Sequence, residues 1–321
     1  MMVSESVSQK LGARARLNGA QQLEQRIALG VVVIPFIGTI AALVWMWVYG
    51  ISLVDIGLFL IMYAITTLGI TAGFHRLFTH SSFKTGKTIQ VLLGIAGSMA
   101  AQGPVLFWTA CHRRHHAWSD DSDDPHSPNA GGEGIWGKFL GLWHAHIAWM
   151  FNHNNENWVK YVPDLLRDNL IFKVNQWYFL WIFLGFLIPA ILGGFLSHSW
   201  QGAISGLLWG GFVRMFLVHH ATWSINSICH SFGSRPYETK DDSTNNLICA
   251  LLAFGEGWHN NHHAFQTSAR HGIEWWQADV TYWLIYVLEK LGWVSNVNLP
   301  NACLLTAKKS KLAIERCSSV D

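Results

Sequence analysis

Charge is scarce in this chain. Of 321 residues only 13% are Asp, Glu, Lys or Arg, the net charge is +2, and no basic domain with interleaved aromatics stands apart, which argues against a nucleic-acid partner. Cysteine is scarce too. Cys111, Cys229, Cys249, Cys303 and Cys317 are odd in number and form no CxxC pair, so neither a disulfide framework nor a zinc ribbon is implied and reduced thiols are expected. Residues 1–26 lack a short apolar core followed by a small-residue cleavage site; carrying Lys10, Arg14, Arg16 and Arg26, they read as a cytoplasmic arm.

Apolar residues fill the gap. Half of the chain is hydrophobic and 18 residues are Trp, a composition that points to a membrane protein. Residues 27–48 are uncharged and, as a helix, would extend about 33 Å, enough to cross a hydrocarbon core. A second run, 53–72, returns after a minimal turn with only Asp55 charged. Two more runs, 174–196 and 202–218, make a second hairpin, the last carrying Arg214, a functional candidate because charge inside a span is costly. Residues 88–107 are apolar but broken by Gly94, Gly97, Gly103 and Pro104, and read as a helix at the membrane boundary. The expected fold is an all-α membrane protein, four transmembrane helices in two hairpins under a cytosolic helical cap.

Charge placement orients it. Lys and Arg number 4 in the N-terminal arm, 9 in residues 73–173 and 8 in residues 219–321, while the two short turns between paired spans have none. The positive-inside rule therefore puts both termini and the cap in the cytoplasm. Within the cap, residues 130–173 read as soluble connection, with His144, His146 and His153 as surface or core residues. Val280, Trp283, Leu284, Val287, Leu288 and Leu291 keep the spacing of an amphipathic helix. Residues 296–321, with Lys308, Lys309 and Lys311, read as a loosely ordered tail.

Histidine carries the chemistry. His112, His115 and His116 recur at three and four, so on a helix their rings share one face and converge on a metal; His259, His262 and His263 repeat the pattern. His75 and His80, five apart, lie about 140° apart on an ideal helix and need a helix end or two different ions. Eight clustered histidines are twice what one zinc takes, so two ions are expected. The chain has no HExxH, and only Glu256 with His259 has the ExxH spacing that soluble di-iron bundles use in pairs. An all-imidazole set suits iron better than calcium or magnesium, and haem would leave the triplets unexplained. The acidic run Asp120, Asp121, Asp123, Asp124 is either a solvated loop or a set of acceptors for the outer ring N–H of ligating histidines.

His-Arg-Leu-Phe-Thr-His at 75–80, His-Arg-Arg-His-His at 112–116 and His-Asn-Asn-His-His at 259–263 resemble the three histidine boxes of the membrane fatty acid desaturases, specifically the Δ9 branch of stearoyl-CoA and bacterial acyl-lipid enzymes. Asp124-Pro125-His126, the segment Asn226 to His230, Arg235-Pro236-Tyr237 and Gly255 to His259 extend the resemblance over roughly residues 30–295, within a desaturase domain read as 27–295. It implies that His75, His80, His112, His115, His116, His230, His259, His262 and His263 ligate two Fe2+ ions, with Asn226 holding one through a water. It also implies O2 as co-substrate and a cis Δ9 double bond in a saturated C16 or C18 chain carried on a glycerolipid or coenzyme A. No His-Pro-Gly-Gly haem signature of a fused cytochrome b5 domain occurs, so electrons are expected from ferredoxin or a separate cytochrome b5. A related di-iron hydroxylase is the alternative enzyme; a metal store or transporter would place its ligands inside the bilayer, where these clusters are not.

Overall fold

The computed structural model describes residues 19–151 and 158–309; Lys10, Arg14, Arg16, His153, Lys311 and Cys317 lie outside the described residues. Among the described residues four helices are long and apolar enough to cross a membrane: Gln21–Tyr49, Leu53–Thr79, Tyr178–Ser197 and Trp200–Ser227. They pair as two hairpins. The first comprises α1 (Gly19–Tyr49) and α2 (Leu53–Leu68). Ser52 caps α2 by accepting the Asp55 N–H at 3.2 Å while Asp55 Oδ2 accepts the Ser52 N–H at 2.9 Å, which gives the one acid of that run a structural duty. The second hairpin turns at His198, in the left-handed conformation (φ 48°), and Ser199, whose hydroxyl accepts the Gly202 N–H at 3.0 Å. There α7 (Tyr178–Ser197) meets α8 (Trp200–Gly206) so closely that a Cβ on Gly193 would stand 2.3 Å from the Gly202 carbonyl.

All four helices differ in their bounds from the apolar runs. α1 begins at Gly19, before the run opens at 27, and α2 continues past 72 as a π-helix, Gly69–Thr79. The fourth helix continues past 218 through a π-segment, Leu207–Val213, into α9 (Arg214–Ser227). Hydropathy marks where a helix leaves lipid, not where its backbone bonding stops. Residues 174–176 belong to a separate helix, α6 (Asn169–Gln176), that Trp177 divides from α7.

Arg214 proves structural. Its guanidinium is fully buried and donates to the carbonyls of Gly210 (3.1 Å), Met99 (2.9 Å) and Gly185 (2.9 Å), tying the fourth span to the third and to the loop after α3 (Lys87–Ser98). Each N–H thereby replaces water with a backbone oxygen.

The cap wraps the helix ends opposite the two turns. It contains α3, α4 (Val105–Trp118), α5 (Gly134–His146), α6, α10 (Leu247–Leu252), α11 (His259–Ala264), α12 (Val280–Lys290) and α13 (Ala302–Ala307). A two-stranded antiparallel ribbon, β1 (Lys84–Thr85) on β2 (Val294–Ser295), joins its ends. On α12 Thr281 and Ile285 are buried and the apolar stripe is divided: Val280, Leu284 and Leu288 are half-buried, whereas Trp283, Val287 and Leu291 are exposed. The described part of the C-terminal stretch is not loose: Lys308 Nζ donates to the Ala264 carbonyl at 2.6 Å and the Glu238 N–H donates to the Lys308 carbonyl at 2.9 Å, clasping the end of α11.

Candidate metal centre

Nine buried or half-buried histidines gather in two groups. His75, His80, His112, His116 and His262 form one; His115, His230, His259 and His263 form the other, and within each group the ligand atoms lie within 4.8 Å of one another. These are the nine positions singled out from the sequence, including the isolated His230, which α9 delivers at its end.

The triplets do not act as claws on single ions. Each splits two to one: His112 and His116 join the five-histidine group and His115 the other, whereas His259 and His263 join the four-histidine group and His262 the first. Residues four apart on a helix differ by about 40°, but the third ring is about 60° to 100° away, so one turn of helix serves two neighbouring sites. His75 and His80 sit in the same group because the backbone there is π-helical. The His80 N–H bonds the His75 carbonyl at 3.2 Å, five residues back, and the rings lie 4.9 Å apart with His80 at the helix end.

The nitrogens face each other as the ligands of a shared ion would. Nε2–Nε2 separations are 3.0 Å for His75–His262, 3.1 Å for His112–His116, 2.9 Å for His116–His262 and 3.0 Å for His230–His259. Four Nδ1–H groups are already committed to carboxylates: His75 to Glu256, His115 to Asp124 (2.9 Å), His230 to Asp120 (2.9 Å) and His263 to Asp241 (2.8 Å). That fixes their Nε2 atoms as bare lone pairs, and Nε2 of His80, His115 and His263 is buried with no hydrogen-bond partner. Facing lone pairs are tolerable around a cation. Two nitrogens about 2.0–2.1 Å from one ion would be about 2.9–3.3 Å apart, so these spacings fit rings that share an ion.

Protonation is suppressed to match. Burial, then neighbouring imidazoles, holds His80, His112, His116, His259 and His262 well below the ordinary value of 6.5. Burial also brings His263 down to about 4 although Asp241 opposes it. His115 is raised: burial works against its charge, but Asp124 outweighs it. Despite their own burial, Asp124 and Asp241 are held below the carboxylate range, chiefly by His115 and His263 respectively.

Sequence reasoning left the acidic run undecided. Asp120 and Asp124 are the acceptors, while Asp121 and Asp123 are exposed. Asp241, Asp279, Arg76 and His271 were not foreseen. Arg76, fully buried beside His75, donates to Asp279 at 3.0 and 3.2 Å and to His271 Nε2 at 3.3 Å. No spacing marks His271 or Asp279 as neighbours of residue 76. Gly255 hints at the contact: at φ +111° a Cβ there would lie 2.4 Å from Asp279 Oδ1, so only glycine admits the carboxylate.

A cavity of about 660 Å³ opens beside the two groups, lined by His75, His112, Asn226, Glu256 and His259 at one end. Asn226 is half-buried there. From α1, Glu24, Ile27, Ala28 and Val31, one helical face, line the cavity together with Ile70 and Phe179. Of the 18 tryptophans, Trp108, Trp149, Trp158 and Trp223 line it. Gln102 Nε2 donates to Thr222 Oγ1 at 2.6 Å, and Tyr178 Oη accepts the Gly103 N–H at 2.8 Å, which fixes two further sides. Its lining is mainly apolar, with Glu24, Gln102, Asn175 and Thr222 among the polar residues besides the histidines, a volume and character suited to an apolar ligand.

Comparison with known proteins agrees with this geometry. Residues 52–287 match the family model of the fatty acid desaturases. The chain is 54% identical over 279 residues to a hex-5-enoyl-[acyl-carrier protein] acetylenase of Moorena producens (strain JHB), covering 86% of this chain and 87% of that one. It is 42% identical over 248 residues to an sn-1 stearoyl-lipid 9-desaturase of Anabaena variabilis (76% and 84% covered), and 37% identical over 244 residues to Delta-9 acyl-lipid desaturase 1 of Arabidopsis thaliana (75% and 74% covered). With the family model spanning most of its length and relatives of this kind covering three quarters of it or more, the chain belongs to the membrane fatty acid desaturase family, in the branch that includes the stearoyl-lipid 9-desaturases.

Proposed function

We propose that the protein is an O2-dependent desaturase that places a cis double bond at carbon 9 of a saturated C16 or C18 chain, using two irons held by the nine histidines, with Asn226 holding one through a water. The observation that carries this reading is the pair of imidazole groups at the wall of an aliphatic cavity. Five and four imidazoles in two groups exceed what one tetrahedral zinc takes, which favours two irons. When bound, the irons supply the reduction of O2 and the removal of hydrogen from unactivated carbon that no side chain can perform. The overall balance is one saturated –CH2–CH2– unit, O2, two electrons and two protons in, and –CH=CH– with two waters out.

The chain's own residues do the rest. Glu256, Asp124, Asp120 and Asp241 keep the Nδ1 protons of their histidines in place, so the Nε2 lone pairs always face inward. The α1 face and the four tryptophans hold the acyl chain and exclude water, and the position at which it is held selects the carbons. Electrons come from ferredoxin or a separate cytochrome b5. On α5, Ile135, Trp136, Phe139, Leu140 and Trp143 are all exposed on the helix that brings His144 to the cavity, an apolar face suited to the bilayer boundary. That favours an acyl group supplied from a membrane lipid.

Reduced ferredoxin and membranes holding the protein, given a stearoyl glycolipid, are expected to yield an oleoyl product. Stearoyl-CoA and an acyl-carrier-protein-linked chain serve as the other arms, the last because the Moorena relative's name specifies that carrier. A double bond at another carbon, a triple bond or a hydroxyl would overturn the Δ9 reading. We further place the active site on the cytoplasmic face, since the turns near Gly50 and Ser199 carry no Lys or Arg. A cysteine at Ser199 is then expected to react with an impermeant thiol reagent added from outside, and one at Asp121 only after permeabilisation; the reverse labelling would invert the topology.

A further inference from the structure

The two histidine groups differ in what stands behind them. In the four-histidine group three rings of four give their Nδ1–H to a carboxylate: His115 to Asp124, His230 to Asp120 and His263 to Asp241. In the five-histidine group, among the described residues, only His75 does so, to Glu256. Glu256 is moreover shared. Its other oxygen lies 3.4 Å from Arg76, a fully buried guanidinium that also pairs with Asp279 at 3.0 Å. Among the described residues, the carboxylates of Asp120, Asp124 and Asp241 meet histidines and backbone or hydroxyl donors, but no lysine or arginine.

All four carboxylates are nearly or wholly out of solvent, with side-chain exposures of 0% for Asp124, 7% for Asp120 and Glu256 and 10% for Asp241, so water screens them little. A carboxylate on the outer nitrogen raises the basicity of the imidazole and adds negative charge near the ion. Three such charges bear on one position; one, shared with an arginine, bears on the other.

We propose that the two metal positions are electrically unequal, the four-histidine position being built to favour the more positive ion, so that of two bound irons the one held there is oxidised first. This rests on the di-iron reading and adds an order to it. Asp120, Asp124 and Asp241 are then positioning residues that act through His230, His115 and His263.

The test is an equilibrium oxidation of the iron-loaded, detergent-purified protein with mediators of the ferricyanide class, each Fe2+ passing one electron to the mediator, followed by Mössbauer and EPR spectroscopy. Two separate one-electron steps are expected. Asp124→Asn and Asp241→Asn keep an acceptor oxygen but remove the charge; each is expected to shift the lower step upward, by about 59 mV for every tenfold loss of preference for the oxidised ion, and to leave the upper step nearly in place. Glu256→Gln is expected to move the upper step instead, and Asp124→Glu to restore the lower one. If Asp124→Asn does not fold, Asp241→Asn alone decides. Coincident steps in the parent protein, or aspartate variants that move the upper step, would overturn the inference while leaving iron binding and desaturation intact. A parent protein that holds no iron would instead overturn the functional reading beneath it.

Discussion

His262→Ala is expected to abolish turnover and to leave the protein with less iron than the two per chain proposed for the parent. His262 is fully buried, and its Nε2 lies 3.0 Å from that of His75 and 2.9 Å from that of His116, so it is the ring that joins the second helix's contribution to that of α4. Loss of an outer partner of a ligand costs about 10–100-fold in affinity or activity, and loss of the ligand itself is expected to cost at least about 100-fold. His116→Ala is expected to behave alike. Metal analysis beside a lipid product assay checks this; a His262→Ala protein with full iron content and full turnover would remove the five-histidine group from the mechanism. His144→Ala serves as the control for iron content, since that residue joins neither group.

Gly69→Ala is expected to have the largest effect on stability of any single methyl group added to the bundle. Gly69 begins the π-helix, and a Cβ there would stand 2.2 Å from the Gly97 backbone nitrogen and 2.4 Å from the Ala96 carbonyl carbon. The contact is mutual, for a Cβ on Gly97 would lie 2.5 Å from the Phe74 ring and 2.9 Å from the Gly69 oxygen. Backbone on both sides cannot yield without separating α3 from the helix that carries His75. Overpacking of this kind costs about 3 kcal/mol or more. Gly57→Ala is the comparison: nothing lies within 4 Å of its Cβ, and in a helix interior the exchange is favourable by up to about 1 kcal/mol. Thermal unfolding in detergent, followed by size-exclusion chromatography, should show Gly69→Ala aggregating well below the parent and Gly57→Ala at or above it. Equal midpoints would mean that the two helices pack with more slack than these distances allow.

Much of the architecture was legible because its causes are local. Uninterrupted apolar runs of helical length, the scarcity of charge and the uneven placement of Lys and Arg are properties of neighbours in sequence, and they mark four membrane helices and two hairpins. The eight box histidines were legible for the same reason, since spacings of three, four and five are short-range signals. His230 was named only through the resemblance.

What the tertiary structure alone decided is how those residues are shared. Spacing suggested that each triplet grips one ion, whereas packing α4 against α11 and the end of the second helix assigns two rings to one group and one to the other. The π-winding that brings His80 beside His75 is a backbone state that residue identities do not advertise. Arg214 looked functional because a charge in an apolar run normally is; besides the Gly210 carbonyl one turn back, the Met99 and Gly185 carbonyls from distant segments satisfy it, and their presence could not be inferred from its neighbours. Asp241, Asp279 and His271 reach the site across loops of no regular period. Local periodicity thus determined the helices and the metal-binding residue types, while long-range contacts, which carry no periodic trace in the chain, decided which ring serves which position and which carboxylate stands behind it.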